Sequence, residues 1–270
     1  MIFTNAAITR FYVRKAAVLA VSVLASVLLL TIGCTGPATD PYAPRIVGRR
    51  IVFERPAAII EVLGRSVGGR PIECYRFGDD GPAVLFIATI HGNEWAGTPL
   101  LRRLIDYLHI QPSLWEDKTV AVVPLANPDG YILNIRGNAH GIDLNRNFSA
   151  ANRVNNSVFG QSALSEPEAQ ILAQLIDRLQ PVLVVSLHQP LDCLDYDGPG
   201  KAQAEQMAMV CPLRVKKLGP QPGSMGSYVG QELGIPIITM ELRGEDSYLD
   251  AQQLWQLYGQ ALLTAINFQL

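Results

Sequence analysis

The sequence predicts a single α/β domain, with a mixed, mostly parallel β-sheet flanked by helices on both faces. Three observations support this. Short β-branched runs alternate with segments of helical period. Several of the runs are apolar throughout, as strands buried on both faces are. Polar side chains stand directly where those runs stop, the place at which open α/β sheets build their sites.

In chain order, Ile59 to Leu63 and Pro71 to Phe77 form two strands joined by a glycine-rich turn, Gly64 to Gly69. Ala83 to Thr89 is a buried strand, and Gly97 to His109 a helix whose Leu100, Leu101, Leu104, Ile105 and Leu108 share one face. Thr119 to Leu125 completes a strand–helix–strand unit. From Ala126 to Ser165 no period is found, yet the stretch is not low-complexity, and a segment that long inside a domain is read as functional. Ser165 and Glu168 match a capping box, with Pro167 in the first turn of a helix running to about Gln180. Pro181 to Leu187 is a strand ending in His188, Ala202 to Lys217 a helix, Ile235 to Met240 a strand ending in Glu241, and Tyr248 to Phe268 the closing helix.

The N-terminus is of another kind. Arg10, Arg14 and Lys15 precede an uncharged run from Ala16 to Ile32, which ends at Gly33-Cys34. Residues 1–33 therefore read as an export signal. Thr31-Ile32-Gly33-Cys34 resembles a lipoprotein processing site, with Cys34 the lipidated residue. An uncleaved membrane anchor and ordinary secretion are the alternatives; all three export the protein, and the lipoprotein reading places it on the periplasmic side of the bacterial cell envelope. Residues 34–50, rich in proline, read as a tether, and 51–270 as the catalytic domain. The formal charge is −2, and −5 once the first 33 residues are gone, so no basic stripe is available for a nucleic acid. Cys193 and Cys211 could pair; three lone buried thiols are the other reading.

Four histidines are present. His91 and His188 each follow a β-run, and Glu94 lies three residues past His91. Two imidazoles and one carboxylate form the ligand set of a catalytic zinc that keeps a position open for water. Glu241, at another strand end, is then a candidate proton acceptor. Singly, each signal is weak, because a histidine after a strand is more often structural. Jointly, the residues point to a zinc hydrolase.

His91-Gly92-Asn93-Glu94, Asn127-Pro128-Asp129-Gly130-Tyr131, Asp143-Leu144-Asn145-Arg146-Asn147-Phe148, Ser186-Leu187-His188 and Thr239-Met240-Glu241-Leu242 occur in that order. Together they resemble the successive motifs of the zinc carboxypeptidases, the carboxypeptidase A-like family. The resemblance implies one Zn2+ per chain held by His91, Glu94 and His188, with Glu241 as general base. It further implies that Arg136 polarises the scissile carbonyl, that Asn145 and Arg146 grip the substrate's free carboxylate, and that Asp143 orients His91. Within the family, Arg136-Gly137-Asn138, His188-Gln189-Pro190-Leu191 and Pro222 to Tyr228 are similar to the murein peptide amidase A branch. That branch hydrolyses the γ-D-glutamyl-meso-diaminopimelate bond of peptidoglycan stem peptides. The mobile tyrosine of pancreatic-type members has no match here, and Tyr228 is expected only to line the substrate pocket. Met225 and Asp192 are expected to set the choice between wall peptides and ordinary L-peptides, the substrates of the alternative carboxypeptidase reading. A deacylase of amino-acid conjugates and a non-catalytic wall-binding lipoprotein are further alternatives; the Asn-Arg pair opposes the first and the intact ligand set opposes the second.

Overall fold

The computed structural model describes residues 45–47, 50–52, 58–79 and 81–268. The expected export signal and Cys34 lie outside the described residues. A short antiparallel pair, β1 (Arg45–Val47) and β2 (Arg50–Val52), spans the boundary between the stretch read as a tether and the one read as the catalytic domain. Among the described residues no helix is long and apolar enough to cross a membrane.

The body is an eight-stranded sheet. Its strands are β3 (Ile59–Arg65), β4 (Pro71–Phe77), β5 (Ala83–Ala88), β6 (Thr119–Val123), β7 (Leu183–His188), β8 (Leu191–Asp197), β9 (Arg214–Val215) and β10 (Ile237–Arg243). They lie in the order β3-β4-β6-β5-β7-β10-β8-β9. The middle four, β6, β5, β7 and β10, are mutually parallel. β4 joins them antiparallel on one side and β8 antiparallel on the other. β5, β6 and β7 are buried at every position, which is why they read as unbroken apolar runs.

Helices cover both faces. On one, α1 (Gly97–Ile110), α4 (Lys201–Ala208) and α5 (Ala251–Ile266) pack Leu100, Leu104, Met207, Leu254 and Leu262 against the sheet. On the other, α3 (Pro167–Leu179) contributes Ile171, Leu172, Leu175 and Ile176. Each such side chain contributes about 1.5–3 kcal/mol of burial. Cys74, Cys193 and Cys211 are free, so the expected alternatives resolve to lone thiols. Burial pushes the Cys74 thiol up to about 11.

Three local expectations are corrected. The helix beginning near Ala202 stops at Ala208, and Arg214–Val215 is a strand paired with β8. Pro212 cannot donate a helical hydrogen bond, which agrees with the early stop. The N-cap of α3 is Glu166 rather than Ser165, whose hydroxyl instead donates to Glu166 Oε1 at 3.0 Å. The long irregular stretch contains a short helix, α2 (Pro128–Leu133), capped by Asn127.

Candidate active site

The carboxyl ends of the parallel strands assemble the site. β5 ends at Ala88, and the turn after it carries His91 and Glu94. β7 ends at His188, paired in register with Glu241 on β10. His91, Glu94, His188 and Glu241 are all buried.

The turn after β5 is locked against α2. Gly92 is required because a Cβ there would overlap the backbone of Gly130. Asn127 joins the two segments: its Oδ1 accepts from Gly130 N at 2.9 Å, and its Nδ2 donates to Ile90 O and Gly137 O at 3.2 and 3.1 Å. Asp129 accepts from Gly68 N and Arg70, tying α2 to the glycine-rich turn. The Asn-Pro-Asp-Gly motif is therefore a clamp under the His91 loop.

Three donor atoms converge. His91 Nδ1 is 2.9 Å from Glu94 Oε1, His188 Nδ1 is 2.9 Å from Glu94 Oε2, and the two Nδ1 atoms are 3.2 Å apart. The opposite nitrogens are held elsewhere, His91 Nε2 by Asp143 Oδ1 at 3.0 Å and His188 Nε2 by Ser186 Oγ at 3.1 Å. Asp143 requires a proton on Nε2, which leaves the Nδ1 lone pair directed at the cluster. Tetrahedral zinc with bonds of about 2.0–2.1 Å sets its ligands about 3.3 Å apart, so these donors fit the ion in type and spacing. Among the described residues this is the group suited to a metal.

The charges follow from this packing. Burial opposes ionisation of Glu94, yet the adjacent His188 and His91 hold its carboxyl well below the usual range. For Asp143, burial is likewise outweighed by His91 and Arg136. Burial works against a charged His91 ring, but Asp143 and Glu94 push its pKa up. Glu241 differs: burial raises its pKa, the charge of Glu94 adds to that, and His188 only partly offsets it. Its Oε2 accepts from Leu191 N at 3.4 Å.

Arg136 stands at the mouth, donating from Nε to Asp143 Oδ2 and from Nη1 to Glu94 Oε1, both at 2.9 Å. Asn145 and Arg146 lie on a short 3-10 turn (Leu144–Arg146) capped by Asp143. Asn145 Oδ1 accepts from Met225 N at 2.8 Å. Arg136, Asn145 and Arg146 line one cavity of about 440 Å³, together with the three donors and Glu241.

Tyr228 is placed differently. Its ring stacks on Phe148 with centroids 5.8 Å apart, and it is not among the residues lining the cavity. Asp192 is exposed and pairs with Arg243 at 3.0 Å, while Met225 is buried in the core. Asp195 and Asp197 on β8, absent from the sequence expectations, line the cavity instead. Gln189 was also missed: its backbone N donates to Glu94 Oε2 at 3.2 Å and its Oε1 accepts from Ala96 N at 3.0 Å. Its signal in the sequence is its place in the His188-Gln189-Pro190-Leu191 motif, which carries no role for it.

A His–Glu–His donor set with an adjacent buried glutamate and two cavity arginines defines a metallohydrolase site. The chain belongs to the zinc carboxypeptidase family, whose model matches residues 54–197. It is 36% identical over 231 residues to murein peptide amidase A of Escherichia coli (strain K12), covering 77% of this chain and 83% of that protein. It is 25% identical to gamma-D-glutamyl-L-diamino acid endopeptidase 1 of Lysinibacillus sphaericus, over 74% and 64% of the two chains. The crystal structure of murein-tripeptide amidase from Escherichia coli O157 superposes with a TM-score of 0.63 at 31% identity, covering 78% of this chain and 92% of that one. The protein is thus a zinc metallopeptidase of this family.

Proposed function

We propose that the chain is an exported amidase that hydrolyses the γ-D-glutamyl-meso-diaminopimelate bond of peptidoglycan stem peptides. The observation that carries the reading is the single cavity in which Asn145 and Arg146 face the metal donors and Glu241. The substrates named for the two bacterial relatives support the choice of bond. The predicted export signal supports it too, since an envelope enzyme meets peptidoglycan directly.

The geometry supports the following roles. Zinc held by His91, Glu94 and His188 supplies a Lewis acid and lowers the pKa of water to about 7. Arg146 presents a planar fork that donates two parallel bonds to the substrate's free carboxylate. Asn145, its oxygen committed to Met225 N, offers its Nδ2 donors beside that fork. Arg136 directs positive charge at the scissile carbonyl, and Asp143 keeps both Arg136 and His91 in place. Glu241 accepts a proton from the attacking water and returns it to the leaving amine.

The test is incubation of the zinc-loaded chain with L-Ala-γ-D-Glu-meso-diaminopimelate and with a hippuryl-L-amino acid, read by mass spectrometry. Release of free diaminopimelate is expected. Cleavage of the hippuryl substrate alone overturns the reading in favour of an ordinary carboxypeptidase. For the envelope, Cys34→Ser should move the chain from the membrane to the soluble fraction. An unchanged membrane fraction would contradict lipidation and favour an uncleaved anchor.

A further inference from the structure

The side chain of Glu241 is lightly held. Among the described residues its carboxylate accepts one hydrogen bond, from Leu191 N at 3.4 Å. A carboxylate that has to take up a proton cannot be locked by strong donors, so its position depends on the backbone that carries it. That backbone is fixed two residues further on, at Arg243, where β10 ends. Arg243 N donates to Asp246 Oδ2 at 2.8 Å, and the same oxygen accepts from the Tyr258 hydroxyl of α5. Arg243 O accepts from Gln189 Nε2 at 2.8 Å.

Gln189 carries this tie across to the metal donors. Its side chain is buried, and Oε1 accepts from Ala96 N at 3.0 Å while Nε2 also donates to Ser247 Oγ at 3.0 Å. Its backbone N donates to Glu94 Oε2 at 3.2 Å. One residue thus bonds to a metal donor, to the chain two residues past that donor, and to the chain two residues past Glu241. A primary amide suits the task, since it offers an acceptor to Ala96 N and two donors to Arg243 O and Ser247 Oγ. A buried network satisfied in this way is rigid, and it spans the gap between the β5 turn and the end of β10.

We infer that Gln189 is a positioning residue, coupling the Glu94 turn to the end of β10 so that Glu241 stays in reach of the attacking water. The inference rests on the proposed role of Glu241 as general base. Gln189 acts through the backbone at Ala96 and Arg243 rather than on the reacting atoms.

The test is Gln189→Met, which keeps an unbranched side chain of similar length and removes the amide. In the zinc-loaded variant kcat should fall roughly ten- to a hundredfold, the cost of a misplacement on the order of 1 Å, with KM within about twofold of the wild type. Zinc content should remain that of the wild type. A wild-type kcat per bound zinc, whatever the melting temperature, overturns the inference and leaves a structural role only. A raised KM at unchanged kcat overturns it too, as the mark of a substrate contact, and so does loss of zinc, which would confine Gln189 to the ligand turn. Glu241→Gln is assayed beside it on the same substrates. Turnover by Glu241→Gln sinks the reading of the base, whereas an inactive Glu241→Gln beside a fully active Gln189→Met sinks the coupling alone. If only the hippuryl substrate is cut, the comparison is made on it, and the choice of bond does not decide the role of Gln189. Should Gln189→Met not fold, Ser247→Ala decides, because it removes only a hydroxyl that Nε2 contacts. A kcat loss of roughly two- to tenfold is then expected, the worth of one hydrogen bond, and a wild-type kcat overturns the inference.

Discussion

His91 and His188 meet at Nδ1 because their other ring nitrogens are held by Asp143 and Ser186. The same economy of contacts sets the substrate side chains. Arg146 Nη1 donates to Asn145 O at 2.7 Å, which fixes the guanidinium at the edge of the cavity. Arg146→Ala should raise KM for substrates with a free terminal carboxylate roughly ten- to a hundredfold, the loss of a charge-assisted pair. An unchanged KM in steady-state kinetics would remove that role. Glu241 must be ionised to accept a proton, so kcat/KM falls as pH drops through its pKa. Burial and Glu94 raise that pKa, which puts the acid limb of the pH profile above the value of about 4.3 for an unperturbed glutamate. A limb at or beneath that value contradicts the assignment. At this scale the metal donors and Glu241 were legible, since His91, His188 and Glu241 directly follow apolar runs and Glu94 lies three residues past His91. Asp195 was not, because an aspartate in a strand reads as solvated unless the cavity beside it is known.

The unit that assembles the metal donors is a loop pressed on a helix. Gly92 packs on the backbone of Gly130, and Asn127 bonds across both segments. Gly92→Ala should push the His91 loop off α2, lowering both the melting temperature and the affinity for zinc. Wild-type melting and zinc titration curves in that variant would show that the contact does not position the ligand. Long, strongly periodic elements such as α1 and α3 were readable from their apolar stripes. α2 was not, being only one and a half turns long and stabilised by contacts with distant Gly68 and Arg70. β8 escaped for a related reason: Leu194 and Tyr196 meet the core while Asp195 and Asp197 face the cavity, so the strand does not read as an apolar run.

Across the whole molecule, the parallel centre β6-β5-β7-β10 delivers three chain-distant segments to one rim. Alternating strands and helices gave the class of fold and the cover on both faces. The strand order did not follow from the chain, because it depends on pairings such as β10 between β7 and β8 that no local pattern encodes. Zinc bridging these segments stabilises the folded state by mass action. Chelation should therefore abolish activity and lower the melting temperature by roughly 10 °C if zinc is normally a thousandfold above its Kd. Readdition of zinc should restore both; a chelated chain that melts and turns over as before would exclude a structural and catalytic metal here.

The most direct test of a zinc peptidase with Glu241 as its base is the Glu241→Gln variant, assayed for metal content and turnover together. Glu241 is no ligand in this arrangement, so one zinc per chain should remain while hydrolysis of the γ-D-glutamyl tripeptide disappears. Turnover near that of the wild type, with zinc still bound, would contradict the account.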